Sequence, residues 1–190
     1  THRDVEFAIR RSYGLPYEHE FALTWESPFR VMFYSSGHVL GGACCLVRSP
    51  GHTLYYTGDI SMREQELMRS LTTPNRRVQI DTLVIESTRG AQHEEDASSY
   101  ADEIDRMAEE ATKVIKDGGC VLMPAFALGR TQEMVNIVAR LQREKRLPKV
   151  PVYMSGLGRA IYEIYDQYQN YLKPNAVLSP LDQFKRIGDV

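Results

Sequence analysis

The sequence predicts an α/β protein built in two styles, and three observations predict it. Residues 29–56 hold apolar, strand-like runs broken by glycines and by a Pro50-Gly51 turn, the pattern of successive hairpins. Residues 81–171 alternate short apolar strands with amphipathic stretches of helical spacing. That alternation argues for a parallel sheet with helices packed on it. The style changes near Gly90, which places the expected boundary between a first domain, residues 1–90, and a second, residues 91–190.

Taken in order, residues 4–13 suit a short helix with Val5, Ala8 and Ile9 on one face, ended by Gly14-Leu15-Pro16. Residues 18–24 and 29–34 read as strands, the second rich in the aromatic and β-branched side chains that a pleated surface accepts. Strands 43–47 and 53–56 follow on either side of the Pro50-Gly51 turn, so an antiparallel or mixed sheet is expected. Residues 62–71 suit a short helix that Thr73-Pro74-Asn75 breaks. Thr82-Leu83-Val84-Ile85 is again an apolar strand, and it runs into Glu86.

The clearest helix carries Ala97, Tyr100, Ala101, Ile104, Met107, Ala108, Ala111, Val114 and Ile115 at three/four spacing, with Gly118-Gly119 as its stop. Val121-Leu122-Met123 is read as a fully apolar strand. Residues 130–143 form a second helix with Met134, Ile137, Val138 and Leu141 on its apolar face. Residues 151–154 are a third short strand and 157–171 a third helix.

Composition excludes little but narrows the field. With 23 basic and 25 acidic residues, net charge gives no sign of a polyanion partner, which a local patch or bound metal would have to hold. The longest apolar run, residues 120–128, is far below the ~20 residues of a membrane span. No membrane partner is expected, and no signal-peptide pattern opens the chain. Cys44, Cys45 and Cys120 have neither metal nor redox spacing, so buried thiols in a reducing compartment are the expectation.

The chemistry-bearing residues stand at strand ends. His38 sits among Gly37, Gly41 and Gly42, which let the backbone approach something closely, although a lone histidine is also readily satisfied within a loop. Asp59 follows Tyr55-Tyr56-Thr57-Gly58 and suits either a metal ligand or the cap of a following helix. Glu86 suits either a metal-managing acid or a solvated strand end. His2, His19, His52 and His93 stand in polar or turn surroundings and are not expected to be ligands.

Ser36-Gly37-His38-Val39-Leu40-Gly41-Gly42, Tyr56-Thr57-Gly58-Asp59 and Ile85-Glu86-Ser87-Thr88-Arg89-Gly90 resemble, in that order, the later metal motifs of the metallo-β-lactamase superfamily and the first motif of its β-CASP branch. Met123-Pro124-Ala125-Phe126-Ala127-Leu128-Gly129-Arg130-Thr131-Gln132-Glu133 resembles the β-CASP strand–loop–helix, and Val152-Tyr153-Met154-Ser155-Gly156-Leu157 its next strand and turn. The resemblance covers nearly the whole chain. It implies part of a metallo-β-lactamase αββα sandwich followed by the first part of a β-CASP parallel α/β domain. It further implies a zinc-dependent ribonuclease in RNA processing or decay, similar to the endonuclease of pre-mRNA 3′-end processing and to RNase J.

By that resemblance, His38 is a terminal ligand of one of two zinc ions and Asp59 bridges both. Glu86 orients a histidine that acts as general acid. The chemistry is coherent: two divalent ions about 3.5–4 Å apart activate a hydroxide for in-line attack on a phosphodiester, and a carboxylate can span them. A carboxylate behind a histidine fixes its tautomer. Arg130 at a helix start is a candidate phosphate contact or else a solvated side chain, and Ser155 is a second candidate substrate contact.

The family's principal motif, His-x-His-x-Asp-His, does not occur in the chain. The expectation is therefore an internal fragment supplying two of the roughly seven ligand positions of a dinuclear site. Arg89 stands where many RNA-processing members have tyrosine. Ile85-Glu86-Ser87-Thr88 is similar to the RNA-cleaving branch, whereas the DNA-repair branch carries Asp-Thr-Thr, so single-stranded RNA is the expected substrate. A DNA nuclease of the same superfamily and an inactive scaffold subunit of an RNA-processing complex are the alternatives; a thioesterase or lactonase is disfavoured by residues 119–133. A homodimer or an RNA-processing complex is the expected assembly. The expected compartment is the cytoplasm, or the nucleus in a eukaryote.

Overall fold

The computed structural model describes residues 1–91 and 98–187. His93 and the start of the long helix expected from Ala97 lie outside the described residues. The chain divides into two compact units. The first comprises Thr1–Ser36, Gly42–Ile60 and Leu71–Glu86; the second comprises Gly37–Gly41, Ser61–Ser70 and the chain from Ser87 onward.

The first unit opens with helix α1 (His2–Ile9). Its sheet follows, made of β1 (Glu20–Ala22), β2 (Arg30–Ser35), β3 (Ala43–Ser49), β4 (His52–Tyr56) and β5 (Thr82–Val84), in that spatial order. The first four strands pair antiparallel and β5 lies parallel to β4, so the sheet is mixed. Ser49 pairs with His52 across the Pro50-Gly51 turn, where Gly51 takes φ +79°, a conformation that favours glycine. Alternation puts Tyr34, Cys44, Leu46 and Tyr55 on one face, where they are buried together with Met32, Ile60 and Val78 packed against them. The Tyr34 and Tyr55 rings meet edge to face at 6.2 Å.

Sequence and structure differ here in extent. The helix expected over residues 4–13 ends at Ile9, and the Ser12 hydroxyl donates to the Ala8 carbonyl, competing with further helical bonding. The strand expected over 18–24 shrinks to three residues. Glu18 adopts φ +59°, outside the strand region, and a turn closes from Ser27 N–H to Thr24 O.

The second unit contains α2 (Tyr100–Lys116), α3 (Arg130–Arg143), β6 (Val152–Met154), α4 (Gly156–Gln167) and β7 (Phe184–Arg186). The Ser99 hydroxyl caps α2 by accepting the Asp102 N–H, and Gly118 stops the helix at φ +78°. Helix α3 is the hub. On one side Ile137, Val138 and Leu141 pack with Ile104, Ala108 and Ala111 of α2; on the other Val135 and Ala139 pack with Met154, Tyr162 and Phe184.

Five further expectations are corrected. Residues 121–123 do not form a strand: Val121 and Met123 pack inward, Leu122 is 87% exposed, and no strand pairs with them among the described residues. β5 joins the first sheet rather than a parallel sheet of the second unit, whose parallel pairing is β6 with β7, a strand the sequence does not predict. Residues 62–71 are not helical, for side-chain reasons given below. Cys120 is exposed, against the expectation of buried thiols; Cys44 is buried and Cys45 half-buried. The last helix stops at Gln167, where Tyr168 leaves helical geometry, and a single 3₁₀ turn follows at Gln169–Tyr171. Among the described residues no helix is long and apolar enough to cross a membrane.

Candidate functional site

In the first unit the site forms at the ends of two parallel strands. Parallel pairing brings the C-terminal ends of β4 and β5 to the same edge, so the residues just beyond them, Asp59 and Glu86, emerge side by side. The buried Thr57 continues the pairing by donating its N–H to the Val84 carbonyl at 3.0 Å. Its hydroxyl donates to the Gly58 carbonyl at 2.8 Å and accepts the Glu86 N–H at 3.4 Å. Gly58 turns the chain at φ +56° and leaves Asp59 exposed. The Glu86 carboxylate accepts the N–H of Ile60, the residue after Asp59, at 3.4 Å. Thus Glu86 braces the loop that presents Asp59.

His38 belongs to the second unit, in the segment Gly37–Gly41. Gly37 and Gly41 both take positive φ, at +68° and +79°. The half-buried His38 is held through its backbone: its carbonyl accepts from Gln65 Nε2 at 3.1 Å. Two residues on, the Leu40 N–H donates to the Tyr165 hydroxyl of α4 at 3.1 Å.

Gln65 belongs to the segment expected to be helical. Residues 65–67 are instead gripped, one after another, by a single stripe of α3. Arg130 donates to Gln65 Oε1, Arg140 forms a two-pronged pair with Glu66 at 2.7 and 3.2 Å, and Glu133 accepts the Leu67 N–H on both oxygens at 3.0 and 3.1 Å. The spacing of Arg130, Glu133 and Arg140 puts all three on one helix face. Lys173 holds the same segment from elsewhere, its ammonium on the Gln65 carbonyl at 2.5 Å and its N–H on the Leu67 carbonyl at 2.8 Å. The Leu67 N–H, the Gln65 carbonyl and the Leu67 carbonyl are thereby committed to Glu133 and Lys173 and withdrawn from helical hydrogen bonding, in keeping with the irregular course of this stretch.

Glu133 is 5% exposed, and burial pushes its carboxyl up to about 7, against the opposing effect of the Leu67 and Glu66 backbone N–H groups. In the sequence Glu133 stands out only as part of the stretch 123–133, and Gln65 not at all. The Arg-x-x-Glu spacing on one face of a predicted helix was the available signal.

The substrate candidates are both found at helix starts. Arg130 opens α3 after Gly129, with its guanidinium on Gln65. Ser155 is exposed and caps α4, its hydroxyl accepting the Gly158 N–H at 3.3 Å. A cap of this kind leaves the donor capacity of the hydroxyl available to a ligand.

An imidazole and a carboxylate are donor types that suit zinc. Among the described residues, however, no three His, Cys, Asp or Glu side chains gather to hold a metal ion. His38 and Asp59 are therefore at most part of a ligand set.

No protein-family model matches the chain. Among curated proteins it is 32% identical to an RNase J-like protein of Methanocaldococcus jannaschii over 97% of its own length and 43% of that protein. It is 36% identical to endoribonuclease ysh1 of Emericella nidulans over 77% of its length and 16% of that protein. It is 33% identical to cleavage and polyadenylation specificity factor subunit 3 of Dictyostelium discoideum over 85% of its length and 21% of that protein. The chain spans less than half the length of these curated relatives. Mixed α/β architecture, glycine-flanked His38, the paired acids beyond β4 and β5, and this likeness along most of its length make the chain a homologue of the β-CASP ribonucleases of the metallo-β-lactamase superfamily.

Proposed function

We propose that this chain is part of a ribonuclease that hydrolyses phosphodiester bonds of single-stranded RNA. In this reading residues 1–90 are a portion of a metallo-β-lactamase sandwich and residues 91–190 a portion of a β-CASP domain. His38 and Asp59 would each be a ligand in a dinuclear zinc centre that needs further ligands. Bound zinc supplies positive charge to the scissile phosphate and acidifies water. The chain's own part is positional. Asp59 offers two carboxylate oxygens from a loop held by Glu86, and the strand pairing beneath fixes where those oxygens stand. The observation that carries the reading is the Glu86–Ile60 bond, because an acid that braces a second acid at the ends of adjacent parallel strands is a built feature rather than a solvated edge.

Of the two substrate candidates, Ser155 is the one proposed to face the RNA phosphates, in keeping with its helix-start position, because the Arg130 guanidinium is engaged with Gln65. The names of the relatives also support work within an RNA-processing assembly.

The test compares the complete protein with its Asp59→Ala variant, by elemental analysis for zinc and by cleavage of a labelled single-stranded RNA. The expected result is about two zinc ions and cleavage in the wild type, with both lost in the variant. A wild type with neither zinc nor cleavage overturns the reading and leaves a scaffold subunit in its place.

A further inference from the structure

The side chain of Gln65 is 7% exposed and makes three hydrogen bonds. Its Nε2 donates to the Gly37 carbonyl at 2.6 Å and to the His38 carbonyl at 3.1 Å. Its Oε1 accepts from Arg130 Nη1 at 2.5 Å. Only one orientation of the amide satisfies this set. A guanidinium has donors and no acceptor, so it must face Oε1, and that turns the two N–H donors of Nε2 toward the two carbonyls. Carbonyls of successive residues in an extended chain point to opposite sides. Here Gly37 and His38 present both to one amide, at a Gly37 φ of +68°.

We infer that Gln65 and Arg130 are positioning residues for His38. Arg130 sets the orientation of the Gln65 amide, and that amide holds the backbone on which the His38 imidazole rides. The inference rests on reading His38 as a functional ligand, and it gives the Arg130 guanidinium an internal task distinct from phosphate contact. It also distinguishes α3 from a helix that merely offers its N-terminus to an anion. The stripe that begins with Arg130 is occupied with residues 65–67.

Four variants of the complete protein test it: Gln65→Leu, Gln65→Glu, Arg130→Met and Arg130→Lys. The first readout is amide hydrogen exchange of peptides covering residues 37–41, which does not depend on metal or on activity. Gln65→Leu and Arg130→Met are expected to raise exchange there about ten-fold, and the double variant no further, because both remove one device. Gln65→Glu, isosteric and better paired with Arg130, is expected to loosen the loop as Gln65→Leu does, since a carboxylate cannot donate to the carbonyls. Arg130→Lys is expected to restore most of the protection.

The second readout is zinc affinity by chelator competition, expected to weaken roughly ten-fold or more in Gln65→Leu and Arg130→Met. Exchange at 37–41 unchanged in both Gln65→Leu and Arg130→Met overturns the inference. So does a raised KM for RNA in Arg130→Met with Gln65→Leu indistinguishable from wild type. Should the wild type bind no zinc and cleave no RNA, the proposed function fails, while the exchange readout still decides the positioning role.

Discussion

Gly129 stands against Val39 with no room for a side chain: a Cβ built on Gly129 would lie 2.4 Å from Val39 Cγ1. Gly129 also takes φ +79°, where any L-residue is strained. The glycine that precedes α3 therefore sets how closely the segment Gly37–Gly41 packs on the helix start. Gly129→Ala is expected to destabilise by about 2–5 kcal/mol, from positive φ and overpacking together. Adding Val39→Ala removes the overpacking and leaves the backbone strain, so the double variant is expected to be more stable than Gly129→Ala alone. Urea melts of the single and double variants check this, and independent additive losses would refute the contact.

Glu133 predicts an unusual pH dependence. Its folded carboxyl titrates at about 7 against an ordinary value of 4.5, because burial disfavours the charge. Below 4.5 both folded and unfolded chains hold the proton. Between 4.5 and about 7 the unfolded chain has released it and the folded chain has not, so the stability linked to this group falls as pH rises through that window. At about 1.4 kcal/mol per pKa unit the ceiling is on the order of 3 kcal/mol. Glu133→Gln keeps an acceptor for the Leu67 N–H and carries no charge. It is expected to be more stable than wild type at pH 8, with the gap closing toward pH 5, as read by urea melts at both. A gap independent of pH would remove the buried-charge account.

Tyr165 links α4 to the His38 segment through one hydroxyl. Tyr165→Phe keeps the packing of the ring with Leu67, Met68 and Leu172 and deprives the Leu40 N–H of its acceptor. A loss of about 1–2 kcal/mol is expected, with faster amide exchange at Leu40 and little change in α2. Uniform loosening of the second unit would mean that the hydroxyl serves the whole core rather than this loop.

The cysteines differ in accessibility, and thiol titration can read it. Cys120 is exposed; Cys44 is buried, and burial pushes the thiols of Cys44 and Cys45 up. A disulfide reagent is expected to modify one thiol rapidly in the native protein, and Cys120→Ser to abolish that phase. Rapid modification of the Cys120→Ser variant would show that the β3 thiols are open.

The elements legible in the sequence were those whose signal is local. Strands β2 to β4 showed alternating apolar side chains around glycine and proline turns, and α3 showed its helical spacing over the span it occupies. Asp59 and Glu86 were legible because each follows an apolar strand, and the parallel pairing of β4 with β5 explains why both stand at the same edge of the sheet. Residues 121–123 have the composition of a strand, but a strand exists only against a partner, and composition does not report one. Residues 62–71 have apolar residues at helical spacing, yet Glu133 and Lys173 take backbone groups of Gln65 and Leu67 from far along the chain. Gln65 was invisible for the same reason. An uncharged residue in a polar stretch has no local signature, and its importance comes from Gly37 and His38 on one side and Arg130 on the other.

The reach of Lys173 back to Gln65, a separation of 108 residues, has a consequence during synthesis. When residues 61–70 leave the ribosome, none of the side chains that secure them has yet been made. At roughly 5–20 residues per second, Lys173 follows Gln65 out of the exit tunnel about 5–20 s later. Over that interval Leu67 and Met68, buried in the finished chain, lack Tyr165 and Leu172, the buried residues of their cluster. The nascent polypeptide thus offers an apolar, unanchored stretch beside the His38 loop, a natural place for a ribosome-associated chaperone to bind and for arrested translation to yield an insoluble product.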